Sequence, residues 1–429
     1  MMSQSIAGWM EISPAALRKL RAELELREQG VLDEMGLGAL HVGYADRLFP
    51  GTSVLHTRAR YLFFVPWIYL QLASKHRNNL AEAKRRAEKW LTRRLRERET
   101  KGIIGNRVYP KPPAQPPDFA YWSALRAFGM YEGLSRAQLA ARWDKGCVVR
   151  RQDQRPPGED VDTEPLGNFS VPAIPSWWRR RDAAVDFALT REEALFLQAR
   201  LAAMARSCLL SEAATRLDHQ HGPSEVAIWA DPFLLDAAAA LDAAHTSAAT
   251  GMPSVRDALE RTRGVSALAA LVRTMYAAMV EALREQDLQA NGSPLPEHAH
   301  HYRETLQGYW ARGDACIDDA RALSLDGVWA DLDLRAARGL RLLLAAVQAK
   351  LGAVRSQRTA LRHLCEGDMR AHFTAFERER KGTRARLPER GGRPQRERLD
   401  SKLLPTEGLH FRQRVVWQLL DDLRQGLTR

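Results

Sequence analysis

The sequence predicts a mainly α, multi-domain helical protein. Three observations carry that expectation. Apolar residues recur at spacings of three and four along much of the chain. Helix-start signals precede these runs: Ser13-Pro14, Ser135 with Gln138, and Thr190 with Glu193. The length, 429 residues, is enough for roughly two to four domains with ample buried core.

The first segment, 1–109, reads as an N-terminal helical domain. After Ser13-Pro14, Leu17, Leu20 and Leu24 form an apolar stripe, and Gly30 to Gly43 reads as loop. Residues 46–73 then organise the domain. Pro50-Gly51 punctuates the chain, and Thr52 or Ser53 offers a hydroxyl to cap a helix running from Val54. In such a helix Arg58 lies about 200° around from Arg60, so the two cannot serve one flat patch. At least one must meet a carboxylate, and Asp46 is the nearest choice. From Tyr61 to Ala73 there is no polar face, as in a helix buried all round. That run is shorter than the about twenty residues a membrane crossing needs. Pro66 should kink the helix or restart it at Trp67. The motif residues Asp46, Thr52, Ser53, Arg58, Arg60 and Tyr61 therefore admit two readings. They are either buried organisers of a core helix, or an anion site at a helix start whose free amides favour phosphate.

The next helix, about 79–100, puts Leu80, Ala83, Ala87, Leu91 and Leu95 on one side. Arg85, Lys89, Arg93 and Arg96 fall on the other, where few acids accompany them. This face is either solvated surface or a phosphate-tracking strip. Pro110 to Pro117 reads as a stiff linker and domain boundary, opening a second segment, 110–182. Its helix at 118–130 and the helix opened by Ser135 make a candidate helix-turn-helix or winged-helix module. Residues 150–178 read as loop, with Trp177 and Trp178 tethering it to a neighbouring domain.

A helical bundle is expected over 183–365. Thr190 opens a helix to about Ser211, and an Ala-rich helix follows near 233–248. Val265, Leu268, Val272, Met275, Met279 and Leu283 mark a long amphipathic helix whose methionines fill core. Leu340 to Cys365 shows a heptad-like seam suited to one long bundle helix. The last segment, 366–429, is a basic tail and a docking helix. Between Phe376 and Arg414 basic residues outnumber acids two to one, and Gly and Pro suggest an extended, adaptable strand. Arg384 and Arg386 join the expected phosphate contacts. Val416, Leu419, Leu420 and Leu423 should dock the final helix, leaving Asp421 and Asp422 as surface charges.

The run from Gly43 to Tyr69 has the order Asp, Phe-Pro-Gly-Thr-Ser, Thr-Arg-Ala-Arg-Tyr and Phe-Val-Pro-Trp. It resembles an uncharacterised bacterial family, a domain of unknown function. Gly102-Ile103-Ile104-Gly105, Tyr121-Trp122 with Leu125, Lys381 to Leu387 and Phe411-Arg412 fit the same pattern. Where that pattern has an aspartate and a tyrosine before the last arginine, this chain has His410 and Phe411. The resemblance implies a setting in bacterial anti-phage defence islands, near genes for a helicase and a phospholipase-D-like nuclease.

No catalytic set is legible. Gly51-Thr52-Ser53 lacks the lysine and glycine spacing of a phosphate loop, and no nucleophile elbow or dinucleotide fingerprint appears. Cys147, Cys208, Cys316 and Cys365 are widely spaced, which argues against structural zinc. His298, His300 and His301 after Glu297 are a faint metal candidate, and Asp368 with Glu379 and Lys381 a faint nuclease one. Neither metal nor cofactor is expected. The net charge of +12 favours polyanions, nucleic acid above all. With no signal peptide and no membrane span in view, the expected location is the cytoplasm. The expectation is therefore a non-enzymatic nucleic-acid-binding or scaffolding subunit of a multi-gene defence system, with DNA as its first ligand. A metal-dependent nuclease, and an adaptor joining helicase to nuclease, are the alternatives.

Overall fold

The computed structural model describes residues 33–74, 79–143, 149–151, 167–180, 184–204, 207–247, 254–296, 299–332, 337–354, 356–398 and 404–429. Among them are seventeen α-helices and three short strands, so the protein is mainly α as expected. The helix expected at Ser13-Pro14 lies outside the described residues.

Two compact units form, and neither is a continuous stretch of chain. One combines Gly43–Arg263, Ser324–Asp333 and His410–Arg429; the other combines Gly264–Leu323 and Leu334–Leu409 with the residues before Gly43. The linear boundaries expected at 109/110, 182/183 and 365/366 do not separate them, because each unit recruits chain from distant positions.

The first unit is built on the helix Tyr61–Ala73, eleven of whose residues are buried. The segment before it is not helical: the chain turns through 52–60, and Arg60 is the N-cap position. The helix expected from Val54 thus begins seven residues later, and it continues through Pro66. Its aromatic side chains make the core. Phe64 stacks on Trp178 at 5.5 Å, Trp67 meets Trp178 edge-on at 5.3 Å, and Tyr69 packs on Trp122 at 5.4 Å. Each such buried ring contributes on the order of 1.5–3 kcal/mol through area removed from water. Trp177 and Trp178 therefore pack inside this unit rather than tethering it to another. Helices Leu80–Leu95 and Pro117–Ala127 lie against Tyr61–Ala73. The Ser135–Gln138 exchange caps helix Arg136–Trp143 as expected.

The two helices of the proposed helix-turn-helix are present, but residues 128–135 between them include a strand, β1 (Tyr131–Gly133). With β2 (Val149–Arg151) and β3 (Gly167–Phe169) it forms a small sheet in the order β1-β3-β2, antiparallel then parallel. A short reading-head turn is not what joins them.

Helix Arg191–Ala202 opens with the full Thr190–Glu193 capping box and ends well before Ser211. The helix Gln413–Leu427 packs on it, burying Val416, Leu419, Leu420 and Leu423. Asp421 and Asp422, expected at the surface, are buried too.

In the second unit, the part of the long helix Val255–Ala290 from Gly264 onward buries Val265, Leu268, Val272, Met275, Met279 and Leu283. The helix also holds an apolar window long enough to cross a membrane, but 83% of that window is buried inside the protein. The heptad seam is broken: helix Arg338–Leu351 ends at Gly352, and Gln357–Cys365 starts afresh from a Ser356 cap. The expected extended tail is folded into helices Gly367–Lys381 and Glu389–Glu397 with a turn between. Its prolines and glycines punctuate helices there instead of loosening the strand. The buried Arg396 side chain, held by Asp287 at 2.6 Å, anchors it. Burial pushes the thiols of Cys316 and Cys365 up to about 12, so both stay protonated.

Candidate functional site

Two groups of cations in the first unit compete for a functional reading, and their surroundings separate them. Around the organising motif every arginine is met by the protein itself. Arg58 donates Nε to Asp422 at 2.9 Å and pairs through a second nitrogen at 2.8 Å. Burial opposes the charge on Arg58, but the hydrogen bond and charge of Asp422 more than offset it and raise its pKa. Arg60 binds Asp186 at 2.8 Å and Glu193 at 3.1 Å. Asp46, the expected partner of this pair, instead holds the buried Arg412 at 2.6 Å. Thr52 and Ser53 are buried away from any helix start, and the Thr52 hydroxyl donates to Phe49 O.

The rest of the motif ties down the turn before the core helix. The Tyr121 hydroxyl accepts from the backbone N–H groups of Thr57 and Arg58 and donates to Arg58 O. The Tyr61 hydroxyl accepts from Ile104 N at 3.0 Å. Gly102 is needed because its φ is +79° and a Cβ there would lie 2.7 Å from the Arg58 side chain. The motif residues are thus organisers of the fold. The anion-site reading is weakened, because carboxylates of the fold already engage both Arg58 and Arg60.

The second group lines a groove of about 270 Å³ between helix Leu80–Leu95 and the segment Gly105–Pro117. Arg85, Arg86 and Lys89 project from the helix, and Tyr109, Lys111 and four prolines face them. The proline segment, expected to be a linker, is a wall: its prolines lack N–H donors and stiffen it enough to hold a cleft open. Arg85 and Arg86 share one carboxylate, Glu82, at 2.8 and 2.9 Å, while remaining 56% and 73% exposed. Such exposed pairs are weak and exchange readily for another anion. Lys89, Arg93 and Lys111 are exposed and meet no carboxylate among the described residues. Arg96 lays its guanidinium over the Tyr109 ring at 4.6 Å.

Sequence reasoning found Arg85, Lys89, Arg93 and Arg96 from helical spacing, but it missed Arg86, Tyr109 and Lys111. Only the fold of the proline segment shows that these last two face the helix. Arg386 does not belong with the free cations. It lies in the second unit, paired with Glu34 at 2.7 Å, whereas Arg384 is exposed there in a short turn. Of the faint nuclease set, Lys381 is engaged by Glu34 and Glu377.

The groove floor holds an unusual carboxyl. Burial, and then the neighbouring charge of Asp118, push Glu88 up to about 8, against the opposing pull of Lys84 and Arg136. Asp118 is deeply buried too, yet it takes a 2.6 Å contact from Lys84, a hydrogen bond from Tyr69 and a third from Arg136. These partners outweigh its burial and hold its pKa low. With one buried carboxylate so well matched, the second keeps its proton at neutral pH. Glu88 therefore adds no negative charge to a cation-lined groove.

Residues 4–139 match a family of unknown function (DUF6361). The matched stretch includes the 46–73 motif, Gly102–Gly105, Tyr121-Trp122 and the whole groove. It does not reach Lys381–Leu387 or Phe411-Arg412. Neither the curated proteins nor the solved structures offer a match to the chain.

Proposed function

We propose that the protein is a non-enzymatic nucleic-acid-binding or scaffolding subunit of a multi-gene bacterial anti-phage system. It acts in the cytoplasm, with DNA as its first ligand. The observation that carries this reading is the groove. Cations stand on both of its walls, Glu82 is the one ionised acid lining it at neutral pH among the described residues, and the neutral Glu88 carboxyl lines it too. A phosphate backbone is the polyanion such a row suits, because each neutralised phosphate releases condensed counterions. The family resemblance supports the defence setting and, with it, a helicase and a phospholipase-D-like nuclease as partners.

Filter binding of DNA across a salt series tests the proposal. Affinity should fall steeply with salt, and Arg85→Glu combined with Arg93→Glu should weaken binding about tenfold or more with the melting temperature unchanged. Affinity that ignores ionic strength would remove the phosphate contacts. An adaptor that touches no nucleic acid is the second reading. It is favoured by the internally paired basic residues Lys381, Arg386 and Arg396. Co-purification with the proposed partners, after nuclease has destroyed any bridging DNA, distinguishes it.

A further inference from the structure

Resting on the nucleic-acid reading above, we infer that the groove takes a single strand rather than a duplex. A duplex carries its phosphates on the outside of a broad convex cylinder, which can lie against a helix face but cannot enter a narrow cleft. A single strand is a flexible thread with phosphates along one edge and flat bases along the other.

The two walls divide those tasks. Arg85, Arg86 and Lys89 form a cationic rail along the helix, and Lys111 faces them from the proline wall. A strand between them is neutralised from both sides, whereas a duplex lying on the helix would leave Lys111 unused. Tyr109 lines the same groove with its ring already held by Arg96. A ring fixed from one side is a prepared platform for a base on the other, since cation–π contact and base stacking use opposite faces of the same ring. Tyr109 and Lys111 sit in a hydrogen-bonded turn after the 3-10 helix Asn106–Val108, and the prolines beside them offer no amide donors that would read base edges. Binding of this kind tolerates any base sequence. The protonated Glu88 keeps the floor free of negative charge below about pH 8.

The test compares a fluorescent deoxythymidine oligomer with a blunt duplex of equal length, by anisotropy with the full chain at one salt concentration. The oligomer should bind about tenfold or more tightly than the duplex. Tyr109→Leu, which keeps bulk but removes the stacking face, should weaken the oligomer about tenfold. Lys111→Glu, at an exposed position, should weaken it while leaving the duplex unchanged. A duplex bound as tightly as the oligomer, or an oligomer indifferent to both substitutions, overturns the single-strand inference. If the duplex is preferred and remains sensitive to the Arg85→Glu, Arg93→Glu double variant, this inference fails while the broader reading stands. Failure to bind either ligand removes both.

Discussion

Two sets of arginines in one unit carry the same charge and do opposite things. Arg58, Arg60 and Arg412 are each matched to a carboxylate inside the fold. Arg85, Arg86 and Arg93 stand in water, with Glu82 alone shared between the first two. The difference is one of cost. Taking a guanidinium out of water is tolerable only with hydrogen-bonded counter-charge already in place, so such a group has nothing left to offer a ligand. A solvated guanidinium gives up little when a phosphate replaces its water or a weak surface partner. Charge content alone therefore says little about binding; the state of each charge decides it.

The sharpest way to break this contrast is Asp422→Ala. It strands Arg58 and also leaves the Ala59 N–H without its 2.8 Å acceptor. Denaturant unfolding should show a loss of about 3–5 kcal/mol, with a normal salt slope in any DNA binding that survives. A loss under about 1 kcal/mol would mean that the motif arginines are not organisers. The next largest effect concerns Glu88. Its carboxyl loses its proton near 4.5 in the unfolded chain but only at about 8 in the fold. Stability should therefore decline as pH rises through that window, because the unfolded state releases a proton the folded state retains. Glu88→Gln should flatten this decline in thermal melts between pH 5 and 8, and should preserve DNA affinity above pH 8, where the wild type weakens. The groups that share this environment, Asp118, Lys84, Arg136, Tyr61 and Tyr69, remain in place in that variant. The smallest stability change is expected for Glu82→Gln, whose thermal melt should stay close to that of the wild type because its ion pairs are exposed. It should nonetheless tighten DNA binding, since it frees Arg85 and Arg86 together. Unchanged or weaker binding would place those arginines outside the contact.

Much of the fold was legible because it follows from local pattern. The all-round apolar run marked Tyr61–Ala73 as a core helix, and the capping pairs at Ser135 and Thr190 marked true helix starts. The apolar stripe of the last helix named its docking residues correctly. What escaped was long-range. The partners of Arg58 lie 364 residues along the chain, and nothing local distinguishes Asp422 from a surface acid. The prolines of 110–117 looked like a spacer because stiffness is legible from composition, whereas what a stiff segment faces is not. The tail looked loose because glycine and proline interrupt helices, but interruption does not prevent a buried pair such as Arg396–Asp287 from holding the pieces. Half of the groove was legible for the same reason: a helical period reports one wall and is silent about the other.

The pairing of Arg58 with Asp422 also has a bearing on biosynthesis. The turn that launches the core helix is secured by a residue the ribosome adds several hundred steps later, so the early part of the unit emerges with its main clamp missing. Until residue 422 appears, a wholly apolar helix with an unmatched guanidinium beside it must wait unsealed, a state that invites aggregation or chaperone capture.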